Sequence, residues 1–545
     1  MILDLWSLCD RKSKIIGPGT LRRMATHEVF NVPPPLTGNA FTSDPSLRLA
    51  DLGETDIKSL VALGELAGSE QAAEWGRLAN SYPPVLHTHD RYGQRIDEVE
   101  FHPAWHSLMT VAVENGMHGT PWRDGGHLAR AAKFYVWAQV EAGHGCPVSM
   151  TYAVVPALRH TPQLAALYES LLAATSYDFG LRAPLSKAGL LAGMAMTEKQ
   201  GGSDVRANTT RAVPAGDHHL ITGHKWFCSA PMCDLFLVLA QAPEGLSCFL
   251  VPRVLPDGAR NPFLIQRLKD KLGNRSNASS EVEFDGTAGW LIGGEGAGVR
   301  TIIDMVTMTR LDCVIGSAAG QRAALRQALH HARHRSVFGR PLITQPLMRE
   351  VLADLAVDQA ASTALWTRIA RGVDAGETPL VRLAVAAAKF WVCKRTPALV
   401  AEALECLGGN GYVEDSQMPR LFRESPLNGI WEGSGNVIAL DVLRAVGRDP
   451  DSTAAVLAEL ETGADSRLGA AVTRLRATLD GTDERGARSL ASGLARCLAA
   501  SLLIQHAPGA VADRFLAQRL AEPASSGYGE SPGPATDAVL AEFAD

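Results

Sequence analysis

The chain has 545 residues, enough for roughly three or four structural units at about 100–200 residues each, so a lone small binding module is excluded. Hydrophobic residues make up 46% and charged residues 20%, and 52 basic against 58 acidic residues leave a net charge of −6. That balance excludes a disordered chain and a globally basic one wrapped in nucleic acid, and it confines any DNA contact to a local patch.

Residues 1–23 end in GPGT with no periodic apolar face; a disordered leader is expected there, with Met24 as an alternative start. No stretch reaches the ~18 uninterrupted apolar residues of a membrane helix, and Met1–Leu8 precedes its basic residues Arg11, Lys12 and Lys14, the reverse of a signal peptide. A cytoplasmic protein without a membrane segment is expected.

Residues 24–190 repeat apolar positions at helical spacing, as in Leu128–Gly143, and predict an N-terminal helical domain. Over 191–294 the texture changes to short β-prone runs, His219–Thr222, Leu235–Gln241, Ser247–Pro252 and Ser280–Phe284, which predict a middle β-domain, a small sheet or barrel. Long Ala-rich amphipathic runs over 295–446 predict a helical bundle, and 447–522 an appended helical domain. The stretch 523–545 has linker composition and is expected to be disordered. The fold class is therefore mainly α with a central β-domain. Nine cysteines without a CxxC pair or zinc-like spacing predict reduced thiols and no metal.

Four constellations carry candidate chemistry. Met196-Thr197-Glu198-Lys199-Gln200-Gly201-Gly202-Ser203-Asp204 combines a sharp glycine turn with hydroxyl donors, although a plain polar turn has the same composition. Gly223-His224-Lys225-Trp226-Phe227-Cys228-Ser229 sets aromatics beside a hydroxyl; on an ordinary strand Trp226 and Phe227 would point to opposite faces, one into the core. Arg333-His334-Arg335-Ser336-Val337-Phe338-Gly339-Arg340, followed by Gln345, could serve a pyrophosphate and an adenine edge, or merely place cations at a helix C-terminus. Leu407-Gly408-Gly409-Asn410-Gly411-Tyr412 precedes Ile430-Trp431-Glu432-Gly433-Ser434-Gly435-Asn436, where a carboxylate between apolar residues suits a general base and equally a helix N-terminal acid.

In their order, these four segments resemble the flavin-dependent acyl-CoA dehydrogenase family: an MTEP..GSD-like loop, a G.K.WIT/S-like segment, an R..FG..L..Q signature, and the closing LGGNGY and WEGSGN pair. The likeness spans about residues 97–446. Within the family the sequence is most similar to the alkylation-response AidB-type branch, through THEVFNVPPPL, GRLANSYPP, FHPAWHSLM, RLKDKLGNRSNASSEVEF and the appended C-terminal domain.

The resemblance implies FAD held between two subunits, with Met196, Thr197, Ser203, Phe227 and Ser229 near the flavin, and Phe227 in the place of the usual Trp. Across the subunit boundary it implies Arg335, Phe338 and Gln345 on pyrophosphate and adenine, with Gly408, Gly409, Ser434 and Asn436 lining the rest. A dimer of dimers follows. Glu432 matches the base that takes the α-proton of an acyl-CoA thioester, and Arg310 the arginine near the substrate entrance. Thr307 stands where many members carry an acid, and no CoA-phosphate cluster is visible.

AidB-type proteins bind double-stranded DNA in the response to alkylation, and the resemblance implies that role here, with weak dehydrogenation at best. The alternative is a genuine short- or branched-chain acyl-CoA dehydrogenase without a DNA role. Residues 447–521 hold nine Arg, no Lys and nine Asp/Glu, so a DNA face there needs clustering; Arg444, Arg448, Arg474, Arg476, Arg514 and Arg519 are the candidates.

Overall fold

A computed structural model describes residues 26–479, 481–521, 527–530 and 533–544. The leader expected at 1–23 lies outside them. The N-terminal region is helical with one departure, a hairpin in which Val85–His89 pairs antiparallel with Arg95–Glu100. Its turn forms because the Asp90 carboxylate accepts from the backbone N–H groups of Tyr92 and Gln94, a local bond that outcompetes helix. Gly145–Leu158, buried nearly all round, is the core helix on which this region meets the β-domain.

In the middle domain Leu235–Ala242 pairs with both Arg211–Ala215 and Gly245–Pro252, and the ring continues through His218–Ser229 and Ser279–Ile292, so the sheet closes on itself. Ala192–Ala195 joins Leu235–Ala242 in parallel, and Phe263–Leu268 extends from Ser279–Ile292. Leu235–Ala240 is buried throughout, because closure covers one face and helices the other.

Three long helices, Gly298–His334, Pro346–Asp374 and Thr378–Glu405, with Gly435–Arg448, form the bundle. Buried alanines such as Ala318, Ala319, Ala356 and Ala387 let the backbones approach closely where they meet. Pro450–Glu461, Ser466–Leu479, Ala487–His506 and Gly509–Arg519 follow. Ala487–His506 is long and apolar enough to cross a membrane by length and composition, yet 67% of that stretch is buried against the bundle.

The expectation of a disordered 523–545 is corrected for its described part. Thr536–Glu542 is a helix, and Val539, Leu540 and Phe543 are buried against Pro346–Asp374. Tyr528 is also buried, its hydroxyl donating to Asp358 at 2.9 Å. The cause is an acidic row, Glu350, Asp354 and Asp358, spaced four residues apart on one helix face. That row accepts from the Tyr528 hydroxyl, the backbone N–H groups of Gly529 and Gly533, and Arg514 and Arg519.

Candidate active site

The strand His218–Ser229 carries an extra residue against Ser279–Ile292 between Lys225 and Cys228. Lys225 and Cys228 therefore share the buried face, and neither Trp226 nor Phe227 enters the core as plain alternation would require. Phe227 is 52% exposed, and Lys269 Nζ lies 3.3 Å from the Trp226 ring centroid and 4.7 Å from that of Phe227. Ser229, two residues on, is 3.4 Å from the Ser279 hydroxyl. Burial pushes the neighbouring Cys146 thiol up to about 12, opposed by the hydrogen bonds of Ser229 and Asn277.

The loop from Met196 to Asp204 is tied down by Glu198. Its buried carboxylate accepts from Lys225 at 2.9 Å, from the backbone N–H groups of Thr209 and Thr210, and from the Thr209 hydroxyl. Burial lowers the Lys225 ammonium to about 8 against the opposing pull of Glu198. The Thr197 carbonyl accepts from the Trp226 N–H at 2.8 Å, so loop and strand move as one unit. A Cβ at Gly202 would stand 2.4 Å from the Thr197 hydroxyl, so only glycine lets that hydroxyl keep its place; Ser203 beyond it is exposed.

Glu432 lies on a turn with φ of +57°, followed by Gly433 at +104°. A non-glycine residue there costs about 1–2 kcal/mol, and buried cations hold it. Lys389 Nζ donates to the carbonyls of Trp431 at 2.8 Å and Gly433 at 2.7 Å, and Arg310 Nε donates to the Glu432 carbonyl at 3.1 Å. The Thr309 hydroxyl donates to Glu432 Oε2 at 2.7 Å. Burial raises the Glu432 carboxyl above its ordinary value; Thr309, Lys389 and Arg310 oppose the rise without cancelling it.

Arg310 is buried, paired with Asp441 at 2.7 Å, and Arg382 joins the same carboxylate. The Arg310 guanidinium, expected near a substrate entrance, is enclosed in this pairing and fixes the Glu432 backbone. Sequence reasoning missed Thr309 and Lys389, which lie on separate long helices with no motif around them.

Of the residues assigned to the rest of the cofactor, Ser434 and Asn436 directly follow this turn, whereas Arg335, Phe338 and Gln345 belong to a separate segment after Gly298–His334. The Arg335 guanidinium donates to the Asn31 carbonyl at 2.8 Å, and the Gln345 amide to the Val337 carbonyl at 3.0 Å, within the hairpin formed by Ser336–Val337 and Arg340–Pro341. Phe338 at its tip is 94% exposed. Gly408 and Gly409 border open space, Ser434 is exposed, and Asn436 accepts from Arg488 at 2.7 Å.

Of the DNA candidates, Arg514 and Arg519 are corrected. Both are buried, Arg514 on Glu350 and Asp354, Arg519 on Asp358, so neither stands on an exposed face open to a duplex. Arg444, Arg448, Arg474 and Arg476 are exposed; Arg476 pairs with Glu461, and Arg474 donates to the Leu520 carbonyl.

Comparison with known proteins decides the family. The model of the adaptive response protein AidB N-terminal domain matches residues 31–179, and those of the acyl-CoA dehydrogenase middle and C-terminal domains match 193–287 and 296–447. AidB of Escherichia coli (strain K12) is 49% identical over 472 residues, 83% of this chain and 87% of that relative. The chain belongs to the acyl-CoA dehydrogenase family, in its AidB-type branch. Among solved structures, the Bd2924 apo-form aligns with a TM-score of 0.81 at 29% identity, covering 88% of this chain and all of that one. Caenorhabditis elegans ACDH-11 in complex with C11-CoA aligns at 0.79 and 27%, covering 91% and 93%.

The cofactor of acyl-CoA dehydrogenases, and of this chain, is FAD. The site fits it. Phe227 presents an exposed aromatic face two residues from the Ser229 hydroxyl, and Gly201, Gly408 and Gly409 leave room for close backbone approach.

Proposed function

We propose that this chain is a FAD-dependent acyl-CoA dehydrogenase homologue whose Glu432 takes the α-proton of an acyl thioester, and that it serves the adaptive response to DNA alkylation. The observation that carries the chemistry is the Glu432 turn: a carboxyl raised by burial, on a strained backbone locked by Lys389 and Arg310. Thr309 holds Oε2, which leaves Oε1 to accept the proton as the Cα–H bond breaks. FAD, when bound, supplies the two-electron acceptor for the β-hydride. Met196, Thr197, Ser203, Phe227 and Ser229 take the flavin side, and Arg335, Phe338, Gln345, Gly408, Gly409, Ser434 and Asn436 the remainder.

A homo-oligomer, a dimer of dimers, completes the site in this reading. It is supported by the exposure of Phe338, Leu347 and Tyr412, apolar surface that a second subunit would cover. Double-stranded DNA is the proposed macromolecular partner in the cytoplasm, supported by the likeness to AidB and by the exposed Arg444 and Arg448.

The deciding experiment is anaerobic titration of the FAD-loaded protein with butyryl-CoA, following flavin absorbance, with Glu432→Gln alongside. Bleaching lost in the variant assigns the base; equal bleaching in both removes Glu432 from that role. Duplex binding is tested separately: affinity should fall steeply with salt and weaken further in the Arg444→Glu, Arg448→Glu double variant. Salt-independent retention refutes the DNA part and leaves the genuine short- or branched-chain dehydrogenase.

A further inference from the structure

A cleft of about 390 Å³ separates the bundle helix Thr378–Glu405 from the appended domain. Five cations line it, Lys394, Arg395, Arg488, Arg496 and Arg519, and none of the described residues lining it is acidic. Phe390 and Trp391 form its apolar wall, with Arg488 over the Phe390 ring at 5.5 Å.

Arg519 is 4% exposed, yet its Nη1 and Nη2 have no hydrogen-bond partner; only its Nε is engaged, by Asp358 at 2.8 Å. Arg395 donates to the same Asp358, at 2.6 Å through Nη2. One carboxylate behind the wall therefore faces two guanidiniums. The buried Nε of Arg496 is also unpartnered, while its Nη1 donates to the Arg519 carbonyl. Leaving buried charged donors unmade costs about 1–3 kcal/mol each or more, and like charges this close repel. A bound anion removes both costs.

We propose that this cleft binds a small phosphorylated ligand carrying at least two negative charges, in addition to FAD. Guanidiniums match phosphate oxygens in bidentate fashion, and Lys394 supplies a point charge at the exposed rim. The volume lies in the range of small-ligand sites. Neither the proton chemistry of Glu432 nor the exposed arginines proposed for DNA requires this cleft.

The test is calorimetric titration of the full-length, FAD-saturated protein with inorganic pyrophosphate and with ADP. One-to-one binding is expected, weakened about 10-fold or more by Arg519→Gln and by Lys394→Glu, whose exposed rim position keeps the test valid if the buried variant does not fold. ADP binding tighter than pyrophosphate assigns an organic ligand; equal binding assigns the phosphate groups alone. Absence of binding by the FAD-saturated protein overturns the proposal, as does affinity unchanged in Lys394→Glu. Binding only to FAD-free protein, reversed by FAD, also overturns it by making the cleft part of the cofactor cradle. Displacement of the probe by stoichiometric duplex would make the cleft a nucleic-acid surface and likewise overturns it.

Discussion

Replacing Lys389 by Met removes the ammonium that bridges the carbonyls flanking Glu432 while keeping the side-chain volume. Two charge-assisted hydrogen bonds, each about 1.5–3 kcal/mol, are lost, offset in part because a buried cation no longer has to be desolvated; a net loss of about 2–4 kcal/mol is expected. The left-handed Glu432 backbone adds to the tendency to relax. The loss should therefore appear as local opening, with the Ile430 and Trp431 amides, both bonded to the Leu427 carbonyl, exchanging about 30- to 1000-fold faster. The Lys389 charge also opposes the raised Glu432 pKa, so its removal lifts that carboxyl further and moves the rising limb of the rate–pH profile with butyryl-CoA to higher pH. Amide exchange and a pH midpoint both equal to those of the parent would refute the bridging role.

Glu432→Gln should stabilise the protein above neutrality: a raised carboxyl pKa means its stability contribution is complete below the unfolded value and lost as pH rises through the folded one, so the gain in Tm should vanish near pH 4. A variant no more stable than the parent at pH 8 contradicts the raised pKa. Arg514→Ala should cost about 3–5 kcal/mol by stranding Glu350 and Asp354, read as loss of docking of the appended domain by limited proteolysis; weaker DNA binding with proteolysis unchanged would return Arg514 to the DNA face. Tyr528→Phe removes one hydrogen bond to Asp358 and should lower stability by about 1 kcal/mol in chemical denaturation; no change would mean that Arg395 and Arg519 satisfy that carboxylate alone. Phe227→Ala should weaken FAD retention on dilution without changing Tm of the FAD-free protein, because the ring lies outside the core; a large drop in that Tm would show the ring to be structural.

The fold class was legible because helical and strand periods alternate in long blocks and the four motifs fall in a fixed order. Glu432 was legible for the same reason. What holds it was not: Thr309 and Lys389 lie 123 and 43 residues away on helices of ordinary composition, and only packing brings them together. The extra residue between Lys225 and Cys228 was equally hidden, since a plain strand with the same letters would send one aromatic inward. Charge counting misplaced Arg514 and Arg519 because composition reports how many arginines a segment holds, and not that a row of acids some 160 residues earlier awaits them. The tail was misread because Val539, Leu540 and Phe543 are too few to outweigh their Gly- and Pro-rich neighbours in a compositional average.

The acidic row on Pro346–Asp374 also sets an order of events during synthesis. When that helix leaves the ribosome, its like charges four residues apart oppose its own formation, and the cations that neutralise them are encoded later: Arg395 soon after, Arg514 and Arg519 far downstream. The cost is about 0.2–0.5 kcal/mol per like-charged pair, relieved at Asp358 by Arg395 and at Glu350 and Asp354 only once Arg514 has emerged. A chain stalled between those points would leave Glu350 and Asp354 without Arg514, and the face of the bundle that carries them open to proteolysis.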